Sequence, residues 1–248
     1  MDNTGNKIKL PDRFRDCMIC GKPLVYFDGE VRKKCVVCGR EFDANCACED
    51  GHFVCNDCHS AGALSFLVPV LMKTEEKDPQ KILESVMKDE KVHLHGPEHH
   101  VIVPCVLLTA YRNNGGELDL EKSLYEAIKR AKQVPSGACG YWGVCGAAAG
   151  TGIYVSILAG STPMSGDAWT IPQKMVIKAL ENISSYGGPR CCKRTSRLAI
   201  SAAVEFTGAI FGVSMPDSTP KCGYFNQNLQ CIRKDCPYYP SQHGDPDK

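Results

Sequence analysis

The chemistry of this chain is concentrated in sulfur: 16 of its 248 residues are cysteine. Cys17-Met-Ile-Cys20 and Cys35-Val-Val-Cys38 are C-x2-C knuckles, each followed by glycine. A tetrahedral ion needs four soft ligands, and two knuckles on facing hairpins supply them with little backbone strain. Cys46, Cys48, His52, Cys55 and Cys58 follow, with His59 adjacent, which is more donors than one ion uses. Two zinc ions are therefore expected, the first held by Cys17, Cys20, Cys35 and Cys38. For the second, Cys48, His52, Cys55 and Cys58 are favoured and Cys46 is the weakest candidate; spacing leaves an interleaved cross-brace open. Four protein ligands leave no position for water, so these ions are structural. Arg32-Lys33-Lys34 reads as a solvated turn.

Three further groups stand in the body of the chain. His95-Gly-Pro-Glu98-His99-His100 gathers imidazoles and a carboxylate at a helix entry, with Cys105 beyond; such a set binds metal, moves protons or caps a surface. Cys139 and Cys145 lie among Gly137, Gly140, Gly143 and Gly146, with Tyr141 and Trp142 between them. Glycine lets backbone amides approach a ligand, and thiols there could hold a cluster or act as nucleophiles. Gly188-Pro-Arg190-Cys191-Cys192-Lys193-Arg194 puts two thiols in a first helical turn. Free amides, the helix dipole and Arg190, Lys193, Arg194 and Arg197 there predict a bound anion or a depressed thiol pKa. Neighbouring helical side chains diverge by about 100°, so one of the two thiols is expected to face a site. Cys222-x8-Cys231-x4-Cys236, with His243 beyond, suits either a zinc finger or an iron–sulfur cluster with an open iron or a core cysteine as fourth ligand.

Seven helices must position these groups. One leads away from the last knuckle through Ala63–Val68. Asp78 caps the next, with Pro79 at its first position and Ile82, Leu83, Val86 and Met87 on one face. A third covers Glu98 to Arg112, kinked or begun by Pro104. Asp119 caps the fourth, with Leu120, Leu124, Ile128 and Ala131 aligned. A buried, glycine-rich helix lies within Gly143–Gly160, another opens at Thr170 and Pro172, and Gly187-Gly188-Pro189 starts the last. The expected fold is mainly α: a tail over 1–12, a zinc-ribbon or treble-clef-like module over 13–60, an all-helical core over 61–214 and a Cys-containing tail over 215–248. The segment GHFVCNDC is similar to the closing half of treble-clef modules.

Lys and Arg number 29 against 28 Asp and Glu, so no global field draws the chain to nucleic acid or a membrane. The N-terminal MDNTGNKIKLPDRFRD has no apolar stretch, and the apolar run Ala63–Met72 is too short to span a bilayer. A cytoplasmic protein is expected, in which cysteines are ligands or reactive thiols rather than disulfide partners. No P-loop, dinucleotide fingerprint, nucleophile elbow or H-E-x-x-H motif is present.

The strings HGPEHHVIVPCVLLTAYRN, SGACGYWGVCGAAAG and GGPRCCKRTS resemble an uncharacterised cysteine-rich family, a domain of unknown function, of methanogenic archaea and anaerobic bacteria. Its members can be associated with methyltransferases. The resemblance implies an anaerobic host and assigns no catalytic role. CGAAAG is also loosely similar to a redox family with a C-GCAxxG-C-C pattern. The leading expectation is redox or sulfur-transfer chemistry by thiolates or an iron–sulfur centre. Cys139, Cys145, Cys191, Cys192, His99 and His100 would gather at one pocket, with an unidentified small molecule or thiol as substrate. Arg190, Lys193, Arg194, Cys222, Cys231 and Cys236 would bind the cofactor. The alternatives are a zinc-dependent adaptor for protein or nucleic acid, built on the N-terminal module and a continuous basic face over Arg190–Arg197, and a metal sensor without turnover.

Overall fold

A computed structural model describes residues 17–240; the tail over 1–12, His243 and the end of the 215–248 tail lie outside these residues. The first elements form a hairpin, β1 (Leu24–Lys34) antiparallel to β2 (Glu41–Cys48), pairing Leu24 with Cys48 and Lys34 with Glu41. The turn is not at Asp28-Gly29, which falls in the irregular stretch between Tyr26 and Val31. Instead the Cys35–Cys38 knuckle reverses the chain, closed by Cys35 N–H to Arg40 O (2.8 Å) and Gly39 N–H to Cys35 O (2.9 Å). Gly21 and Gly39, which follow the knuckles, have φ of +75° and +71°, and that left-handed geometry explains their residue type.

Eight α-helices follow among the described residues: α1 (Asn56–Lys73), α2 (Pro79–Met87), α3 (Glu98–Asn113), α4 (Leu120–Ala131), α5 (Ala138–Tyr141), α6 (Gly146–Leu158), α7 (Asp167–Ser184) and α8 (Cys192–Phe211). The protein is mainly helical with one small sheet among the described residues. Asp78 and Asp119 accept from the backbone N–H of Gln80 and Lys122, the expected caps of α2 and α4. Helix α1 starts earlier than Ala63, inside the cysteine-rich N-terminal segment, with Cys55 as its N-cap. Pro69, Pro104 and Pro172 lie inside α1, α3 and α7, so Pro104 does not begin α3 and α7 opens before Thr170.

Every residue of α3 from Val101 to Tyr111 is buried. A helix apolar all round must be a central one, and α1, α2, α4, α6 and α8 all contact it. Close packing with α6 depends on glycine. A Cβ on Gly146 would overlap the His100 ring, and one on Gly150 would lie 2.8 Å from Pro104 Cδ and 3.0 Å from His100 O. After α8, residues 213–240 run without regular structure apart from a 3-10 turn at Arg233–Asp235, and Cys222, Cys236 and Tyr238 pack with Leu198 of α8. Among the described residues no helix is long and apolar enough to cross a membrane.

Gly150→Ala should lower stability by about 1–3 kcal/mol through overpacking, read as a lower urea midpoint with unchanged slope. An unmoved midpoint would mean that α3 and α6 separate without penalty.

Candidate metal and thiol centres

The eight N-terminal donors form two groups whose ligand atoms all lie within 4.8 Å of one another: Cys17, Cys20, Cys48 and His52, and Cys35, Cys38, Cys55 and Cys58. The pairing by order along the chain, Cys17/Cys20 with Cys35/Cys38 and Cys48/His52 with Cys55/Cys58, is therefore corrected to an interleaved one. Strand β1 explains it. At about 3.3 Å per residue, its 11 residues carry the two knuckles roughly 30 Å apart. Pairing of Leu24 with Cys48 returns the chain to the first knuckle, and α1 starts beside the second. Cys46, also on β2, belongs to neither quartet.

Backbone amides aim at these sulfurs: His52 N–H donates to Cys48 Sγ (3.3 Å) and Cys55 N–H to Cys35 Sγ (3.4 Å). Burial works against a thiolate at Cys35, but the amides of Cys38, Cys55 and Val37 outweigh it and bring the thiol down to about 6. Three thiols plus one imidazole, and four thiols, are donor sets that fit structural zinc. The two quartets can hold metal ions such as zinc.

Cys145 lies near enough to both Cys139 and Cys192, and Cys192 to Cys191, for their charges to act on one another, while Cys105 stands apart. Cys105 is fully buried on α3, its sulfur 4.0 Å from Leu124 O, and burial pushes its thiol far up. His100 packs its ring on Gly146 and sets Nδ1 3.2 Å from Val134 O, while burial lowers its pKa. His99 Nδ1 lies 3.1 Å from Gly96 O, and its buried Nε2 has no hydrogen-bond partner. A surface cleft of about 240 Å³ is lined by Gln80, Lys81, Glu84, Ser85, Lys88, Ser218 and Pro220, none of them a candidate residue.

Cys191 and Cys192 have different neighbours. Burial pushes the Cys191 thiol up and Cys222 adds to that, against the Arg194 amide and the charges of Arg194 and Arg197. Burial likewise pushes Cys192 up to about 12; Arg190 and the Gly96 amide oppose this, and Cys145 and Cys191 reinforce it. Desolvation raises Cys139 too, with Cys145 adding and Arg190 opposing. The expected depression of the thiol pKa is thus overturned: desolvation outweighs the helix terminus.

The basic residues, moreover, are engaged elsewhere. Arg194 donates to the carbonyls of Gly187 (2.8 Å) and Pro189 (3.0 Å), and Arg197 to Glu84 (2.6 Å). Lys193 Nζ sits 4.8 Å over the Tyr224 ring. Because Lys193, Arg194 and Arg197 are all buried, they form no continuous basic face, which removes that support for a nucleic-acid adaptor.

A group that the sequence did not assemble lies beside Cys192. Glu98, with no exposed side-chain surface, has Oε2 3.0 Å from His59 Nδ1 and Oε1 3.4 Å from His93 Nδ1. Glu98 lay in the histidine cluster and His59 beside Cys58, but His93 carried no signal. Only the approach of α1 to the loop before α3 unites the three.

Metal counting checks the interleaving. Cys17→Ser with Cys48→Ser should remove about one zinc, as either single change does, whereas Cys17→Ser with Cys35→Ser should remove about two. The reverse pattern would restore the pairing by chain order.

A model of a family described as a family of unknown function (DUF5714) matches residues 67–239. No curated protein and no solved structure matches the chain. The match takes in α2 to α8, Glu98, every core cysteine and all three tail cysteines, and begins within α1 after the metal quartets. Spanning 173 of 248 residues (67 to 239 inclusive), it shows that the chain belongs to the family of unknown function DUF5714.

Proposed function

We propose that this protein is a one-electron redox protein in which Cys191, Cys222, Cys231 and Cys236 hold an iron–sulfur cluster, on a helical body joined to a two-zinc module. One observation carries this reading: the three tail sulfurs each accept the backbone N–H two residues on. Tyr224 N–H reaches Cys222 Sγ at 3.4 Å, Arg233 N–H reaches Cys231 Sγ at 3.3 Å, and the Tyr238 amide bonds Cys236. The same pattern recurs at the N-terminal knuckles, from Lys22 to Cys20, Val37 to Cys35 and Arg40 to Cys38. Amides turned toward sulfur favour thiolate, although at Cys236 burial outweighs the Tyr238 amide and holds the metal-free thiol above its ordinary value.

Cys191 supplies the fourth sulfur from the N-cap of α8, where Asn228 Nδ2 donates to it at 3.5 Å. The Asn228 carbonyl also accepts from Cys231 N–H at 3.1 Å, so one residue ties both ligands together. Arg233, the one non-glycine residue with positive φ among those described, sits at +52°. A side chain held in that conformation costs about 1–3 kcal/mol, and here its amide points at Cys231. The four sulfurs do not close into a single-ion group as the N-terminal quartets do, and a cluster, with its own irons and sulfides between the thiolates, holds them further apart.

Bound there, the cluster would exchange one electron with external carriers. The chain's own part is to supply thiolates, aim N–H donors at them and pack Cys222 and Cys236 against buried Leu198, the levers that set a cluster's potential. Sulfur carriage by Cys192 is less well supported, because a buried thiol pushed up to about 12 is scarcely ionised near neutral pH and is a poor nucleophile.

Protein purified without oxygen should contain iron and acid-labile sulfide and absorb in the visible. Cys222→Ser and Cys236→Ser should each abolish both while zinc stays unchanged, and Cys105→Ser should leave all three as they are. Iron-free wild type, or full iron content in the Cys222 and Cys236 variants, would overturn the assignment.

A further inference from the structure

We infer that His59, His93 and Glu98 form a third metal site, made of nitrogen and oxygen donors and distinct from the zinc quartets and from the thiols around Cys191. The three come from separate elements: His59 from α1, His93 from the loop after α2, and Glu98 from the first position of α3. Their ligand atoms nevertheless lie within 4.8 Å of one another. His59 Nδ1 is 3.0 Å from Glu98 Oε2 and His93 Nδ1 is 3.4 Å from Oε1. The two imidazole centroids are 4.5 Å apart and tilted by 57°, so both rings present Nδ1 to one carboxylate from different directions.

A simpler account makes the histidines hydrogen-bond donors that stabilise a buried carboxylate. His59 fits it, and the backbone N–H of His93 also donates to Oε1 at 3.1 Å. His93 Nδ1 fits it less well: it is buried and 3.4 Å from Oε1, but the contact is too poorly aligned to be a full hydrogen bond. The two imidazoles and the carboxylate stand close enough together to share one ion. Two further features fit an ion there. A Cβ on Gly96 would overlap both Glu98 and His59, so glycine is what lets the chain close on the group. Glu98 is also 0% exposed; a buried carboxylate needs compensating positive charge, which an ion would supply in addition to that of buried Lys193, whose charged form Glu98 favours.

Two imidazoles and one carboxylate suit a divalent transition ion, Zn²⁺ or Fe²⁺, rather than Ca²⁺ or Mg²⁺. Three protein ligands leave a coordination position for water or a substrate oxygen, as in catalytic zinc and non-haem iron sites. In this respect the site differs from the two quartets, which are closed. It is also joined to one of them, since His59 directly follows Cys58 of the second quartet.

The test counts non-cluster metal in the full chain after incubation with Co²⁺ and removal of loose ions, any cluster iron being assigned by its sulfide. Wild type should hold about one equivalent of zinc plus cobalt beyond the two quartets, with no sulfur-to-cobalt charge-transfer band from that equivalent. His93→Ala should lose it and keep both quartet ions, and Cys222→Ser should keep it. A wild-type total that stops at the quartets would overturn the site without recourse to any variant, and an undiminished total in His93→Ala would overturn it equally. Glu98→Gln, if it remains folded by circular dichroism, should match His93→Ala.

Discussion

A single buried ion pair organises the side of the molecule where the thiols lie. Arg197 of α8 has 1% of its side chain exposed and donates to Glu84 of α2 at 2.6 Å. Glu84 holds the guanidinium firmly charged although burial opposes it. A charge there survives only if it is paired and its remaining surface is covered; breaking such a pair costs about 3–5 kcal/mol. The covering comes from the segment after α8: the Tyr238 and Tyr224 rings lie 5.4 and 6.0 Å from the guanidinium. The same segment is anchored to α2 by Tyr224 O–H to Met87 O (2.8 Å) and by Ser218 N–H to Asp78 Oδ2 (3.3 Å). Folding the chain's end over Arg197 therefore also brings Cys222 and Cys236 to the start of α8.

The N-terminal module obeys a different constraint. A two-stranded hairpin has no core of its own, and its two ends are held by the interleaved donor groups. Because α1 starts at Cys55, a member of the second quartet, and runs directly into the core, the module's orientation is set by a helix rather than by a linker. Contacts across the junction reinforce this, with Lys132 Nζ 2.9 Å from Asp57 Oδ1 and Ser136 Oγ donating to Asn56 Oδ1 at 2.6 Å. The exposed salt bridges of β1, such as Arg32 with Asp43, add little to this.

Local chemistry made part of this legible in the sequence. The caps at Asp78 and Asp119, the apolar stripe of α4 and the eight N-terminal donors follow from short-range rules that the fold does not override. The grouping of those donors did not follow, because ligand spacing is silent on how far a strand carries one knuckle from the next. Helix starts failed where cysteine replaced the usual caps, at Cys55 and Cys191, and Pro104 and Pro172 failed as start signals because α3 and α7 run through them. The thiol environment failed for a related reason. Sequence shows that Cys192 opens a helix among basic residues, but it does not show that Arg194 and Arg197 spend their donors on carbonyls and Glu84. Nor does it show that burial outweighs what remains. His93 was invisible because its partners are brought to it only by tertiary packing.

Adjacent cysteines at the start of α8 give the inferred centres a shared support. Cys191, as N-cap, lies beside Asn228, Cys222 and Cys236. Cys192, one position on, takes the amide of Gly96, the residue whose lack of a side chain admits Glu98 and His59 to each other. One rigid helix start thus touches the thiol group on one side and the backbone cradle of the histidine–carboxylate group on the other. Changes at one are transmitted to the other only if that helix start moves, and it is held by Arg194 on the carbonyls of Gly187 and Pro189 and by Arg197 on Glu84. The basic residues that sequence suggested for binding an anion therefore have a mechanical role. They fix the one segment that both sets of donors must find in the same place.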